Sequence, residues 1–287
     1  MNEVTFSDSG FFEDAWARLR SNRAAVFSLI TLFFLFTMAL IGPLVSPYSY
    51  SEIHLELKNT PPCKQFWFGS DELGRDLFTR IWWGARISLF IGVTAATIDV
   101  IIGVFWGSLA AFLGGKREEL MMRICDVLYA IPYLLVVILL TVIRGSGIIT
   151  ILIAMTFTGW INMARIVRAQ VLSIKQNDYI TAAKAIGASP LRILFSHLIP
   201  NSLGPIIAAM TLTIPTAIFT EAFLSFLGLG IQAPAASWGV MLNDGLSAMR
   251  YYPWRLFFPA AMITLTMLSF NLLGNALRDA LDPRLRR

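Results

Sequence analysis

The chain has 287 residues, of which 56% are hydrophobic and 14% are charged, with a formal net charge of +5 at pH 7. Soluble domains carry roughly a quarter charged residues, so this composition excludes an ordinary soluble protein and indicates a polytopic membrane protein. The net positive charge does not indicate nucleic-acid binding, because the arginines cluster beside apolar runs, as membrane topology requires. Cys63 and Cys125 lie far apart and imply no disulfide framework.

Residues 1–23 form a polar lead that ends in Arg18, Arg20 and Arg23. Its aromatic and leucine side chains predict a short amphipathic helix on the membrane surface. The first long apolar run lacks a clear small-residue cleavage site, so we expect no cleavable signal peptide.

Six apolar runs are long enough to cross about 30 Å of hydrocarbon as helices. The predicted spans are residues 24–44, 87–113, 124–143, 146–164, 202–226 and 256–276. Pro132 is expected to kink the third span. Asp99 lies in the second span and Glu221 near the end of the fifth, where a carboxylate costs about 3 kcal/mol on insertion scales. Each carboxylate either lines a transport path or makes a structural hydrogen bond, and for Asp99 we favour the structural role.

The long loop between the first two predicted spans, at residues 48–85, carries charges of alternating sign at helical spacing. These are Asp71, Glu72, Arg75, Asp76 and Arg80. The pattern predicts a solvated helix beside the membrane. Trp82 and Trp83 are expected to anchor it at the interface.

Residues 177–200 form a polar-flanked break between the fourth and fifth predicted spans. Asn177 and Asp178 are expected to cap a short helix, and one apolar face of that helix is predicted from four positions spaced i, i+3, i+4 and i+7. These positions are Tyr179, Ala182, Ala183 and Ile186. A turn and a second short helix are then expected from the residues Gly187, Ser189 and Pro190, with Pro200 as its end. The alternative is a re-entry loop that lies on the membrane surface.

Charge sets the expected orientation. Most of the 23 Lys and Arg residues fall on one side if residues 1–23, 114–123, 165–200 and the tail share that side. The richer side is expected to be cytoplasmic, which places both termini and residues 177–200 inside and residues 48–85 and 229–253 outside.

No catalytic motif is present in the sequence. It contains no HExxH, no GxSxG and no Cys/His ligand cluster. It has no GxxxxGK[ST] either, so we expect no ATP, cofactor or metal to bind this chain directly. His54 and His197 are its two histidines, and His197 is interpreted as a packed or capping residue.

Four segments carry a family resemblance. Residues 177–200 resemble the Glu-Ala-Ala loop of ABC-importer permeases, with Ala182, Ala183, Gly187 and Pro200 at matching spacing. Thr181 stands where that family usually has Glu, and Ile199 where it has Leu, so a salt bridge from position 181 is not assumed. Residues 69–76 resemble a G-[ST]-D-x-x-G-R-D segment, and residues 221–242 and the tail resemble two further signatures of peptide-importer permeases.

The chain is thus similar to the C-type permease subunit of bacterial oligopeptide and dipeptide ABC importers. This resemblance implies an all-α, six-span permease of the type I importer architecture. It would have a cytoplasmic segment at 1–23, a permease domain at 24–276 and a cytoplasmic basic tail at 277–287. The implied ATPase-docking residues are Tyr179, Thr181, Ala182, Ala183, Ile186, Gly187, Ser189, Pro190 and Pro200. The implied outer-loop motif consists of Gly69, Asp71, Gly74, Arg75 and Asp76.

The same resemblance implies partners in a bacterial inner membrane. They are a homologous B-type permease, two ATPase subunits that carry ATP and Mg, an extracytoplasmic peptide-binding protein, the peptide and membrane lipid, with no nucleic acid. A permease for nickel or another small solute is the nearest alternative. A stand-alone channel or secondary transporter would instead predict inverted repeats and several buried charges. A membrane enzyme is disfavoured by the missing catalytic cluster.

Overall fold

The computed structural model describes residues 11–232 and 234–281. This part of the chain is helical apart from its loops, a short 3₁₀ turn at Leu55–Leu57 and one isolated bridge between Ser70 and Asp76. The helices are α1 Phe11–Ser21, α2 Arg23–Val45, α3 Leu77–Leu113, α4 Gly115–Tyr129, α5 Tyr133–Arg144, α6 Ile148–Ile174, α7 Asp178–Ala185, α8 Pro190–Ile193, α9 Ile199–Phe226, α10 Trp238–Leu246 and α11 Trp254–Ala280. The predicted basic end of the tail at 282–287 lies outside the described residues.

Five helices in the described ranges are long and apolar enough to cross a membrane, namely α2, α3, α6, α11 and the continuous stretch Pro190–Phe226. The pair α4 and α5 provides a sixth crossing if it counts as one span. The predicted spans are therefore present as helices. A helix is also present where an amphipathic one was predicted before them, since α1 buries Ala15 and Leu19 and leaves Trp16 58% exposed.

The third predicted span is not a kinked helix but a broken one. α4 and α5 meet at an angle of 72°. Pro132 has no N–H to continue the ladder, and α5 starts anew at Tyr133. The first half also begins earlier than predicted, at Gly115 rather than residue 124.

The fifth span corrects the expected role of Pro200. This proline does not end a helix, because helix runs through it from Pro190 to Phe226. A wide π turn at Leu194–Leu198 lies one turn before it, where the Ile199 N–H donates to the carbonyl of Leu194. The wider turn accommodates a residue that cannot donate and whose ring would crowd an α-helical carbonyl.

The central pair of the bundle is α3 against α6, which make the most extensive contact between helices. Glycines allow the two backbones to approach closely. A Cβ at Gly107 would overlap the Ala164 carbonyl, and one at Gly103 would lie 2.6 Å from the Met163 Cβ. Small residues at such positions are the usual basis of close packing in membranes. α9 and α11 then pack beside α3, and α2 lies against α3 and α11.

α6 continues about ten residues past its predicted end at residue 164, to Ile174. Two arginines on this extension pair with α4. Arg165 lies 3.0 Å from Asp126, and Arg168 Nε donates to Glu118 at 2.6 Å. These ion pairs extend the helix through the region where sequence alone suggested a charged loop.

Candidate coupling segment and membrane cavity

The short helix α7 follows α6 after a turn. Asn177 is its N-cap by position, but the Asn177 side chain makes no capping hydrogen bond, contrary to the prediction. The helix is instead held by burial. Ile180 is fully buried and packs with Val171 of α6 and Ile193 of α8. The attachment of α7 to the bundle therefore depends on an isoleucine that the sequence analysis did not single out.

The predicted apolar face of α7 is divided by the fold. Ala183 lies inward with Ile180 at i and i+3, whereas Tyr179 is 44% and Ile186 is 87% exposed. Thr181 and Ala182 are also exposed. Ile180, Ala183 and Ile186 follow one another at the same spacing of three residues, so spacing alone did not identify Ile180 as the inward residue.

The turn after α7 has the predicted chemistry. Gly187 has φ +84°, its N–H donates to the Lys184 carbonyl, and the Ala188 N–H donates to the Ala183 carbonyl. This pair of bonds is the Schellman arrangement, which requires a left-handed residue. Ser189 then caps α8 by accepting from the Arg192 N–H at 3.4 Å, with Pro190 at the first helical position.

Four large apolar side chains project from this polar segment. They are Tyr179, Ile186, Leu191 and Phe195, and we call them the coupling patch. These four residues are between 44% and 87% exposed. Charged residues such as Lys184 and Arg192 lie in the same segment. Apolar groups in a polar rim are typical of a protein-binding surface. Pro200 is not part of this patch, since it lines a cavity on the bundle side.

His197 is a further departure from the resemblance. Counting the motif spacing along the chain places His197 where the pattern has an apolar residue. Its ring lies 6.4 Å from that of Tyr179 in an edge-to-face arrangement. The contact agrees with the packing role expected for this histidine.

The outer-loop motif is not the predicted solvated helix. α3 begins only at Leu77, and the residues before it form a buried loop. The Asp71 carboxylate lies 2.6 Å from Arg75 Nε and 3.5 Å from Arg80 Nε. All three side chains are at least nine-tenths buried. Asp71, Arg75 and Arg80 therefore pair with one another rather than with water, whereas the exposed Glu72 pairs with Arg255 at 2.7 Å.

Two glycines and a capping carboxylate shape this loop. Gly69 and Gly74 have φ of +82° and +72°, and a Cβ at Gly74 would overlap the His54 carbonyl oxygen. Asp76 caps α3 by accepting from the N–H groups of Phe78 and Thr79. Trp82, expected at the interface, is buried, whereas Trp83 stacks on Tyr50 with centroids 4.3 Å apart.

Glu221 has a structural environment. Its carboxylate is fully buried and accepts hydrogen bonds from Ser88 at 3.0 Å and Ser225 at 2.8 Å. The Ser88 hydroxyl also accepts from the Trp238 N–H at 3.3 Å. These bonds join α3, α9 and the start of α10. Of the two alternatives for this carboxylate, the hydrogen-bonded one is observed.

Asp99 has the opposite environment. It lines a cavity of about 1650 Å³ between α3, α5, α6 and α9, and no described residue donates a hydrogen bond to its buried Oδ1. The expected structural hydrogen bond is therefore not made to Oδ1 by any described residue of this chain. The cavity wall is largely apolar, with neutral hydroxyl and amide side chains among its residues, including Thr158, Asn162, Gln170 and Thr216. Sequence patterns did not identify these wall residues, because apolar spans do not reveal which face lines a path.

A helical bundle with several apolar crossings, a large cavity between the helices and a projecting short helix is typical of a membrane transport component. Comparison with family models agrees. The model described as the binding-protein-dependent transport system inner membrane component matches residues 99–287, and the N-terminal transmembrane domain of oligopeptide transport permease C matches residues 10–62. The chain belongs to this family of multi-pass inner-membrane permeases, which confirms the resemblance.

Similar curated proteins span nearly the whole chain. The oligopeptide transport system permease protein OppC of Bacillus subtilis is 57% identical, with 99% of this chain and 93% of that protein covered. The dipeptide transport system permease protein DppC of the same organism is 58% identical, with 96% of this chain and 87% of that protein covered. OppC of Escherichia coli is 42% identical, with 95% of this chain and 91% of that protein covered.

The expected fold is also found in solved structures. The membrane protein of an inward-facing MetNI methionine ABC transporter aligns with a TM-score of 0.59 and 19% identity. The alignment covers 69% of this chain and 94% of that one. At this identity the likeness shows the fold alone. It confirms the permease architecture of an ABC importer.

Proposed function

We propose that this chain is the C-type permease of an ATP-driven importer of oligopeptides or dipeptides. It forms the translocation path with a homologous permease, receives peptide from an extracytoplasmic binding protein and is driven by two separate ATPase subunits. The chain itself does no catalysis, and ATP and Mg bind to the ATPase partners. The peptide substrate class is supported by the relatives with 57% and 58% identity, both named as peptide permeases.

The coupling patch is the observation that carries this proposal. Ile186 is 87% exposed at the tip of a helix that is otherwise anchored by buried Ile180. A projecting apolar group on a well-fixed helix suits insertion into a groove of a partner. Moving a two-state population from 1:99 to 99:1 takes about 5.5 kcal/mol of differential binding, which a rigid connection transmits better than a loose loop.

The rigid connection is supplied by α8 and α9. The Schellman turn and the Ser189 cap link α7 directly to the helix Pro190–Phe226. That helix contributes one wall of the cavity. A displacement of α7 by the ATPase pair would therefore shift a cavity wall.

The orientation places the coupling patch, both chain termini and the ATPases in the cytoplasm. The excess of Lys and Arg on that side supports it. The loop at 48–85 and the loop at 229–253 then face outward, toward the binding protein.

The test is a substitution at the turn. Gly187→Val forces a β-branched residue into φ +84°, which such residues avoid, and reorients α7 relative to α8. We expect ATP hydrolysis to continue in the reconstituted importer, with peptide uptake per ATP reduced at least tenfold.

Gly145→Val is the matched control. Gly145 has φ +83° at the end of α5, and a Cβ at either glycine meets nothing within 4 Å. The two substitutions thus place valine at nearly the same positive φ in open space, but only one lies in the coupling segment. Normal uptake by the Gly187 variant, or equal loss in both variants, would contradict the coupling role.

A second experiment tests the partners. Purification of the tagged chain in mild detergent is expected to retain a second permease and P-loop ATPases in fixed ratio, identified by mass spectrometry. Isolation of the chain alone across several mild detergents would contradict the proposed assembly.

A further inference from the structure

An unpaired carboxylate lies deep in the cavity. Asp99 is 5% exposed, and its Oδ1 has no hydrogen-bond partner among the described residues. The contrast with Glu221, which receives two serine hydroxyls, shows that the fold can satisfy a buried carboxylate where it serves structure. A buried charge without a partner is strongly unfavourable, and the cavity is the side from which a partner can reach Asp99.

A second unpaired group lies at the same cavity. The hydroxyl of Tyr133 is buried and without a hydrogen-bond partner, and Tyr133 also lines the cavity wall. It is the first residue of α5, directly after the break that Pro132 makes in the span. Because α5 begins at this break, its first side chain carries a hydroxyl that lines the same cavity as Asp99.

The third wall residue makes room for the carboxylate. A Cβ at Gly159 of α6 would overlap Asp99 Oδ2. Gly159 lies 15 residues before the end of α6 at Ile174, a distance of roughly 22 Å along the helix axis. The carboxylate therefore lies deep in the bundle and far from the coupling segment.

The charge pattern of the cavity identifies the kind of ligand. Among the described residues that line it, Asp99 and Arg278 are the charged ones, and Arg278 lies at the end that adjoins Pro200. No group of three or more His, Cys, Asp or Glu residues stands together in the described part of the chain, and a bare metal cation prefers several such ligands. An ammonium group needs only acceptors for its three N–H donors.

We propose that Asp99 and Tyr133 form a site for the N-terminal ammonium of a peptide in transit. This inference rests on the proposed peptide transport. The ammonium is the cationic group common to all unmodified peptides, whatever their side chains. The carboxylate would accept a charge-assisted hydrogen bond and the Tyr133 hydroxyl a second one, while the neutral wall tolerates varied side chains.

The test is photolabelling of the complete importer, purified in detergent without the binding protein. The probe is a tripeptide with a diazirine side chain at its first residue, used with a free amine and in N-acetylated form. We expect the free-amine probe to label the wall segments around Tyr133 and Gly159. The acetylated probe is expected to label them at least tenfold less.

The variants isolate the proposed contact. Asp99→Asn keeps the side-chain shape and is expected to lower labelling by the free-amine probe about tenfold while leaving the acetylated probe unchanged. Tyr133→Phe is expected to lower labelling by the free-amine probe about threefold. If the Asp99 variant does not assemble, the Tyr133 variant tests the ammonium site on its own. Thr158→Val, a change at a neutral wall residue, serves as the control and should preserve the preference for the free amine.

Several outcomes would overturn the site. These are equal labelling by both probes, no labelling of the wild-type wall, or an unchanged preference in both Asp99→Asn and Tyr133→Phe. Loss of subunit assembly and ATPase activity in Asp99→Asn, with unchanged labelling in Tyr133→Phe, would indicate that Asp99 pairs with the partner permease instead. Uptake of trialanine by wild-type proteoliposomes containing the binding protein is measured separately, and its absence would overturn the proposed function together with this inference.

Discussion

The outer-loop motif buries charged side chains, whereas the coupling segment exposes apolar ones. At residues 69–76 the charged side chains of Asp71 and Arg75 are buried and bonded to each other. In the coupling patch the apolar side chains of Ile186 and Phe195 are exposed and contact little of the chain. The first region satisfies its own groups, so it braces the fold. The second leaves apolar surface uncovered, so it is suited to a partner.

The difference also separates two kinds of substitution. Removing a group from the self-satisfied region leaves its partners buried without compensation, which costs stability. Removing a group from the uncovered region leaves nothing unsatisfied in the isolated chain, so the loss is expected in binding alone.

The largest effect on stability is expected from Asp71→Ala. This change leaves Arg75 and Arg80 buried without their carboxylate, at a cost of about 3–5 kcal/mol in the free energy of unfolding. Asp178→Ala, at an exposed position of α7, is the control and should change that free energy by less than about 0.5 kcal/mol. Unfolding of the purified protein in detergent, followed by tryptophan fluorescence, measures both, and similar effects of the two variants would refute the contrast.

A smaller effect is expected from a matched pair of glycines. Gly74→Ala and Gly187→Ala both place alanine at positive φ, at +72° and +84°, which costs about 1 kcal/mol each. At Gly74 the new Cβ also overlaps the His54 carbonyl oxygen, whereas at Gly187 it meets nothing within 4 Å. The Gly74 variant should therefore unfold at a clearly lower temperature than the Gly187 variant. Equal unfolding temperatures of the two variants would show that the outer loop adjusts to the added Cβ at little cost and does not stabilise the fold.

The finest comparison lies within α7. Ile186→Ser should leave the unfolding temperature unchanged but weaken ATPase binding about tenfold, the equivalent of about 1.4 kcal/mol. Ile180→Ser removes a fully buried side chain and should instead lower stability by about 3 kcal/mol. Titration of the ATPase subunits onto the permease pair in nanodiscs measures the binding, and unchanged affinity in the Ile186 variant would remove that residue from the docking surface.

The local chemistry of the coupling segment was readable from the chain. Gly187 and the Ser189–Pro190 start predicted a left-handed turn and a new helix, and both are present. These features depend on groups within a few residues of one another. The inward face of α7 was not readable, because the choice of Ile180 over Ile186 depends on where α6 and α8 lie.

The outer loop was misinterpreted for a related reason. Helical spacing of charges predicts a solvated helix only if water surrounds it, and here Asp71 and Arg80 are buried by the surrounding loop and helices. Gly69 and Gly74 were the available signal, since two glycines within eight residues of a helix start favour a turn with positive φ.

Sequence by itself determined the membrane class, the number of apolar runs, and the Gly187 turn with the Ser189 cap that follows it, because hydropathy, proline and glycine act over short stretches of chain. Tertiary structure alone decided that the third span breaks by 72°, that helix continues through Pro200 and that Asp99 faces a cavity while Glu221 is enclosed by serines. Those outcomes depend on which helices meet, and the apolar spans carry too little periodic contrast to specify their facing sides.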